Sequence, residues 1–256
     1  MSKANRMWEL RQAATPDTLD LYIYGYVESD WYNWWGDLQR SETSANHFRA
    51  ELSKHPNATQ INIYINSNGG SVFEGTAIYN QLRRHPAHKT VYVDGFACSI
   101  ASVIAMAGDT VIMPRNTMMM VHNMLMGVFG NAAELRKAAD DLDDINAAGR
   151  QAYLSKSAGK ITEEQLIALM DAETWLTAEQ CIAYGFADEY AESDADMTRA
   201  AEQLDASAKS LEQRIKLQQV LREQLQQLTN VPKMDTTPKP ASAGEPVNKI
   251  MQLLQL

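Results

Sequence analysis

Two side chains in this sequence could share a proton. Ser99 lies in the stretch Val91 to Ala107, VYVDGFACSIASVIAMA, and His122 closes the Met-rich run MMMVH. A serine hydroxyl is a weak nucleophile at neutral pH, and an imidazole that accepts its proton is the usual means of activating it. The other histidines are worse placed: His47 and His55 flank a surface-like helix, and His85 and His88 sit in a polar loop. Plainer readings stand beside this one. A serine in the first turn of a buried helix often caps it, accepting a bond from a free backbone N–H. A lone histidine at a strand end is often a hydrogen-bonded core residue.

Acyl transfer also needs donors for an oxyanion and a group to orient the base. The Gly69-Gly70 pair in NSNGG can bring a bare backbone N–H to a substrate carbonyl, with Gly69 as a substrate contact. The N–H of Ile100, next after the serine, is the natural second donor. Asp171 and Glu173 in MDAETW are the carboxylate candidates; the plain reading of that pair is a solvated helix end.

Positioning these groups takes alternating strands and helices. Leu19 to Val27 alternates as a strand, Ile61 to Ile65 is a compact strand, and Asn66 to Gly70 reads as a tight turn. Ser71 to Arg84 follows as a helix. Val91 to Val93 reads as a buried strand, Gly95 as a turn and Ile100 to Ala107 as a buried helix. Further strands are read over Thr110–Met113 and Met118–His122. Asn131 and Glu134 form a capping-box pattern ahead of a long helix with Leu135, Ala138, Ala139, Leu142, Ile145 and Ala152 on one side. A short helix near Thr162–Met170, then Trp175 and Leu176, lead to a last helix over Thr177–Tyr184, closed by Gly185. This alternation predicts an α/β domain with crossover connections over residues 18–192.

Residues 1–17 are polar and read as loosely held. Residues 198–229 read as a separate helical segment, and 230–256, containing PKMDTTPKPASAGEP, as a disordered linker with a short apolar tail. The aromatic cluster DWYNWWG (30–36) reads either as local packing beneath a loop or as an exposed partner patch.

Composition bounds the function classes. The net charge of −9 argues against a nucleic-acid footprint, which needs a basic face. Two cysteines, Cys98 and Cys181, make neither a disulfide framework nor a metal set and suit a reducing compartment. No apolar run reaches membrane-spanning length, the N-terminus lacks a signal-peptide core, and no phosphate-binding GxxxxGK[ST] loop occurs. A cytoplasmic protein without metal or cofactor is the expectation.

The pieces INIYINSNGGSVFEGTAIYNQL, VDGFACSIAS, MMMVHN and WLTAEQCIAYGFADE, in that order over roughly residues 19–190, resemble the serine peptidase family of the Clp protease proteolytic subunit. The resemblance implies a spiral of ββα units shared with crotonases, and stacked homo-oligomeric rings enclosing the active sites. It implies Ser99 as nucleophile, His122 as general base, and the N–H groups of Gly70 and Ile100 as the oxyanion hole. The family's third residue, an aspartate, stands two positions before an aromatic; here Glu173 stands two before Trp175, with Asp171 close by. Asn68 and Met124 also depart from the family, which usually has proline at both places.

The WWG cluster, the ETWLTAE segment and the extension beyond residue 198 are similar to the Clp-like peptidases of tailed phages and prophages, which cut scaffold or capsid protein in head maturation. An ATPase unfoldase would be the partner under the alternative, a cellular-type proteolytic subunit. Two rivals from other classes are a crotonase-like acyl-CoA enzyme, which would not need Ser99 and His122 in these places, and a non-enzymatic assembly protein, which would not be expected to keep both.

Overall fold

The computed structural model describes residues 8–13 and 17–193. Along the chain the elements are β1 (Trp8–Gln12), β2 (Thr18–Val27), β3 (Trp31–Tyr32), β4 (Leu38–Gln39), α1 (Ala45–Leu52), β5 (Gln60–Gly70), α2 (Val72–Arg84), β6 (His88–Cys98) and α3 (Ile100–Ala105). There follow β7 (Thr110–Met113), β8 (Met118–Val121), α4 (Ala132–Ser157), α5 (Glu163–Asp171), β9 (Thr174–Thr177), α6 (Ala178–Tyr184) and β10 (Glu189–Tyr190).

Strands β2, β5, β6 and β7 run parallel, joined by crossovers that carry α1, α2 and α3, which is the α/β spiral the sequence predicts. The alternation of β2 is explicit: Leu19, Leu21, Ile23 and Val27 face the core. On the other face, register aligns Tyr22, Tyr64 and Tyr92, whose rings stack at 4.8 and 5.2 Å. Residues 8–12, within the stretch read as loosely held, pair antiparallel with β2 as an edge strand.

Strand β6 changes partners along its length. Thr90 to Tyr92 pair with β7, while Phe96 to Cys98 pair with β8, which in turn pairs antiparallel with β9. The sheet is thereby forked at its carboxyl end, where Ser99 follows β6 and His122 follows β8.

Three local readings are corrected here. Asn66 to Gly70 is not a tight turn: β5 continues through it, paired with β2 across a register shift after Gly25. Asn66 is buried, and its side chain accepts the Phe96 N–H at 3.2 Å, so interstrand pairing overrides the turn preference of Asn and Gly. Gly95 likewise lies inside β6. The long helix α4 has the predicted capping box, but its apolar stripe reaches the core only in its second half; Leu135 is 46% exposed, whereas Ala152 and Tyr153 are buried. The first half, 132–144, is almost wholly solvent-facing among the described residues.

The aromatic cluster forms the β3–β4 hairpin. Trp34 is 95% and Trp35 84% exposed, so the packing-beneath-a-loop reading fails for both. Ser29 at the hairpin's root bonds Ser71 (3.2 Å), next to Gly70. The segments expected over 198–229 and 230–256 lie outside the described residues. No helix among the described residues is long and apolar enough to cross a membrane.

Candidate active site

Cys98 pairs with Met120 at the end of the parallel β6–β8 ladder, so both chains leave the sheet at the same end. Ser99 is the hinge from β6 into α3, with φ 55° and ψ −130°. A side-chain-bearing residue at positive φ costs on the order of 1–3 kcal/mol and persists only where its surroundings over-determine it. Here the Ser99 N–H donates to the Met120 carbonyl (2.8 Å), and the Ser102 N–H donates to the Ser99 carbonyl (3.0 Å). The Ser99 hydroxyl makes no capping bond, so the plain cap reading does not hold. Oγ instead lies 2.7 Å from His122 Nε2. An imidazole nitrogen at that distance can take the hydroxyl proton as the oxygen attacks an electrophile.

Gly69, at φ 90°, lies against this hinge. A Cβ there would come within 2.7 Å of both the Cys98 carbonyl and Ser99 Cβ. Its N–H is held by Ser67 Oγ (3.1 Å), which donates to the Gly25 carbonyl. The peptide that follows leads to exposed Gly70 at φ 143°, seated against Val27. Ile100, first residue of α3, has an N–H with no intrahelical acceptor. The two backbone segments that carry the candidate oxyanion donors therefore lie close together, a Cβ added at Gly69 falling 3.1 Å from Ile100 N. Gly69→Ala is expected to lower turnover at least about 10²-fold by displacing the hinge and to destabilise the fold by more than the backbone strain alone. Gly36→Ala is the control: it has φ 84° but nothing within 4 Å of its Cβ position. Denaturant midpoints and peptide turnover of the two variants check this, and similar losses in both would refute it.

The two carboxylates differ. Asp171 Oδ1 accepts from Asn123 Nδ2 at 2.7 Å, one residue along from His122. Glu173 follows α5 at φ 49°, and its backbone N–H donates to the Met170 carbonyl (3.2 Å). The β8–β9 register, Val121 opposite Thr174, brings its backbone opposite His122. Its exposed side chain, however, makes no hydrogen bond among the described residues.

An apolar groove of about 590 Å³ opens between α2 and α4. Val72 and Phe73 line it just past Gly70, Met124 just past His122, and Ile145 and Ala152 from α4. Asn146 of α4 fixes the Met124 N–H at 2.7 Å. Sequence reasoning missed Asn123, Asn146, Ser67, Ser102 and Tyr153. Only Ser102 carried a local signal, as a polar residue inside an apolar helix. No group of His, Cys, Asp and Glu among the described residues could hold a metal ion.

The forked sheet and the serine–histidine contact at its carboxyl end belong to a class of peptidases: the chain is a member of the Clp protease family, whose profile matches residues 39–194. An ATP-dependent Clp protease proteolytic subunit 3 of Streptomyces coelicolor is 32% identical over 176 residues, covering 64% of this chain and 76% of the relative. A proteolytic subunit 1 of Leifsonia xyli is 31% identical over 177 residues, 67% of this chain and 88% of the relative. One from Porphyromonas gingivalis is 30% identical over 164 residues, 61% of this chain and 72% of the relative. Membership implies a hydrolase acting on peptide bonds.

Proposed function

We propose that the protein is a serine-type endopeptidase working through an acyl-enzyme, and the observation that carries this is the 2.7 Å contact between Ser99 Oγ and His122 Nε2. Ser99 attacks the scissile carbonyl while His122 takes its proton. The N–H groups of Gly70 and Ile100 hold the oxyanion. His122 returns the proton to the departing amine, and water, deprotonated by the same ring, releases the acyl group. Asp171 orients the imidazole, a role supported by its bond to Asn123, the residue that follows His122. The groove between α2 and α4 receives an apolar side chain next to the cut; its volume is in the usual range for a ligand site. The exposed apolar side chains Leu125, Met126, Val128 and Phe129 ahead of α4, with Leu135 at its start, support assembly into a homo-oligomeric ring.

The test is a fluorophosphonate probe followed by peptide mass mapping. The expected result is one modified peptide containing Ser99 and no modification in Ser99→Ala. Labelling that persists in that variant would refute the nucleophile assignment.

For the substrate, our reading is a structural protein of a phage particle, scaffold or capsid, cut during head assembly. It rests on the WWG hairpin, on Asn68 and Met124, and on the segment beyond residue 198. The exposed aromatics of the hairpin offer such a polypeptide an apolar surface. The second reading, a cellular subunit fed by an ATP-dependent unfoldase, is favoured by the relatives' names. Co-expression with a candidate capsid protein separates them: cleavage that needs Ser99 but no ATPase supports the first, and cleavage only with an unfoldase and ATP supports the second.

A further inference from the structure

Ser102 is the one polar side chain of α3, IASVIA, and it is fully buried. Its Oγ lies 2.6 Å from the Ser99 carbonyl, 3.3 Å from the Met120 carbonyl and 2.6 Å from the Tyr153 hydroxyl. A hydroxyl has one proton to donate, and carbonyls only accept. The Ser102 proton therefore goes to a carbonyl, with Ser99 the nearer, and the Tyr153 O–H donates to Ser102 Oγ. Tyr153 stands in the buried second half of α4 and packs against Phe186 at 5.3 Å between ring centroids. Burial pushes its phenol well above the ordinary range, so it stays a donor at any pH at which the protein works.

The two carbonyls reached by Ser102 belong to the segments that matter for the site. One is that of Ser99 itself. The other, Met120, also accepts the Ser99 N–H and lies two residues before His122. A hydroxyl pair thus ties the strained serine backbone and the strand leading to the histidine to the buried half of α4.

We propose that Tyr153 and Ser102 are positioning residues: the chain Tyr153 O–H to Ser102 O–H to Ser99 carbonyl holds the positive-φ hinge so that Oγ stays aligned with His122 Nε2. This rests on the serine-peptidase reading above. It assigns catalytic consequence to two groups that touch neither substrate nor the reacting atoms.

The test is a double-mutant cycle of Tyr153→Phe, Ser102→Ala and the pair together, read by kcat, KM, fluorophosphonate labelling rate and melting temperature. Ser102→Ala leaves the buried Tyr153 hydroxyl without its partner, and Tyr153→Phe leaves Ser102 Oγ without its donor, so each loses stability as well as turnover. The double variant removes both polar groups, and its melting temperature is expected to return toward wild type. Its kcat and labelling rate are expected to remain depressed, by roughly tenfold to a hundredfold, because the hinge is no longer held. KM should stay near wild type, since the groove is untouched. A purely structural role cannot split stability from turnover in this way. Wild-type turnover and labelling in the double variant would overturn the proposal, as would singles whose kcat is unchanged. Ser99→Ala run alongside separates the two levels. If Ser99→Ala still labels, the nucleophile reading fails and this one with it; if it does not label while the double variant labels at the wild-type rate, the positioning role alone fails.

Discussion

His122→Ala is expected to lower turnover of a fluorogenic peptide about 10⁴–10⁶-fold, and Ser99→Ala to do the same. The reason is the single hydrogen bond between them, 2.7 Å from Oγ to Nε2. Without the ring, the hydroxyl proton has no acceptor as the oxygen attacks, and the leaving amine has no acid. Because both residues serve one proton transfer, the double variant should cost no more than either single. Additive losses would mean that the two act in separate steps and would undo the mechanism. Neither change should unfold the protein. Both side chains are half-buried at the rim of the sheet, and the Ser99 backbone keeps its bonds to Met120 and Ser102 when Oγ is removed.

Asp171→Asn is expected to be the next most damaging change, lowering kcat about 10²–10⁴-fold. Glu173→Gln should leave turnover close to wild type. Alignment to the family points to Glu173, since it stands two residues before Trp175. Both side chains are exposed, and one bond favours the other carboxylate: Asp171 accepts from Asn123, the residue after His122, while Glu173 turns out of the ladder at φ 49°. Replacing a carboxylate by an amide of the same shape removes the charge that stabilises the imidazolium and permits the wrong tautomer. Parallel kcat measurements on the two variants decide the matter. A large loss in Glu173→Gln with a small one in Asp171→Asn would reverse the assignment.

Much of the domain was legible before any coordinates. The period-two pattern of Leu19 to Val27, the apolar runs at Ile61 and Val91, and the Asn131–Glu134 cap all appear as read. These signals are local: each strand or cap is written in residues a few positions apart. Where reading failed, the winning force was nonlocal. The string NSNGG has turn chemistry, yet β2 and β6 on either side recruit it into the sheet. Leu135 repeats with the right period for a core helix, yet nothing in the described residues lies over that end of α4. Trp34 and Trp35 are the most hydrophobic-looking pair in their region and stand in solvent.

By itself the amino-acid order determined the element types, the candidate hydroxyl and imidazole, and the glycine pair, because those depend on residue chemistry and short spacings. Only the tertiary structure decided that β6 divides between β7 and β8, which is what carries residue 99 to residue 122. It also decided that Asp171 bonds Asn123, the residue after His122, and that a tyrosine on α4 reaches the serine's own carbonyl through Ser102. Those contacts join positions tens of residues apart. No periodicity encodes them, because they arise only when separate elements pack against one another.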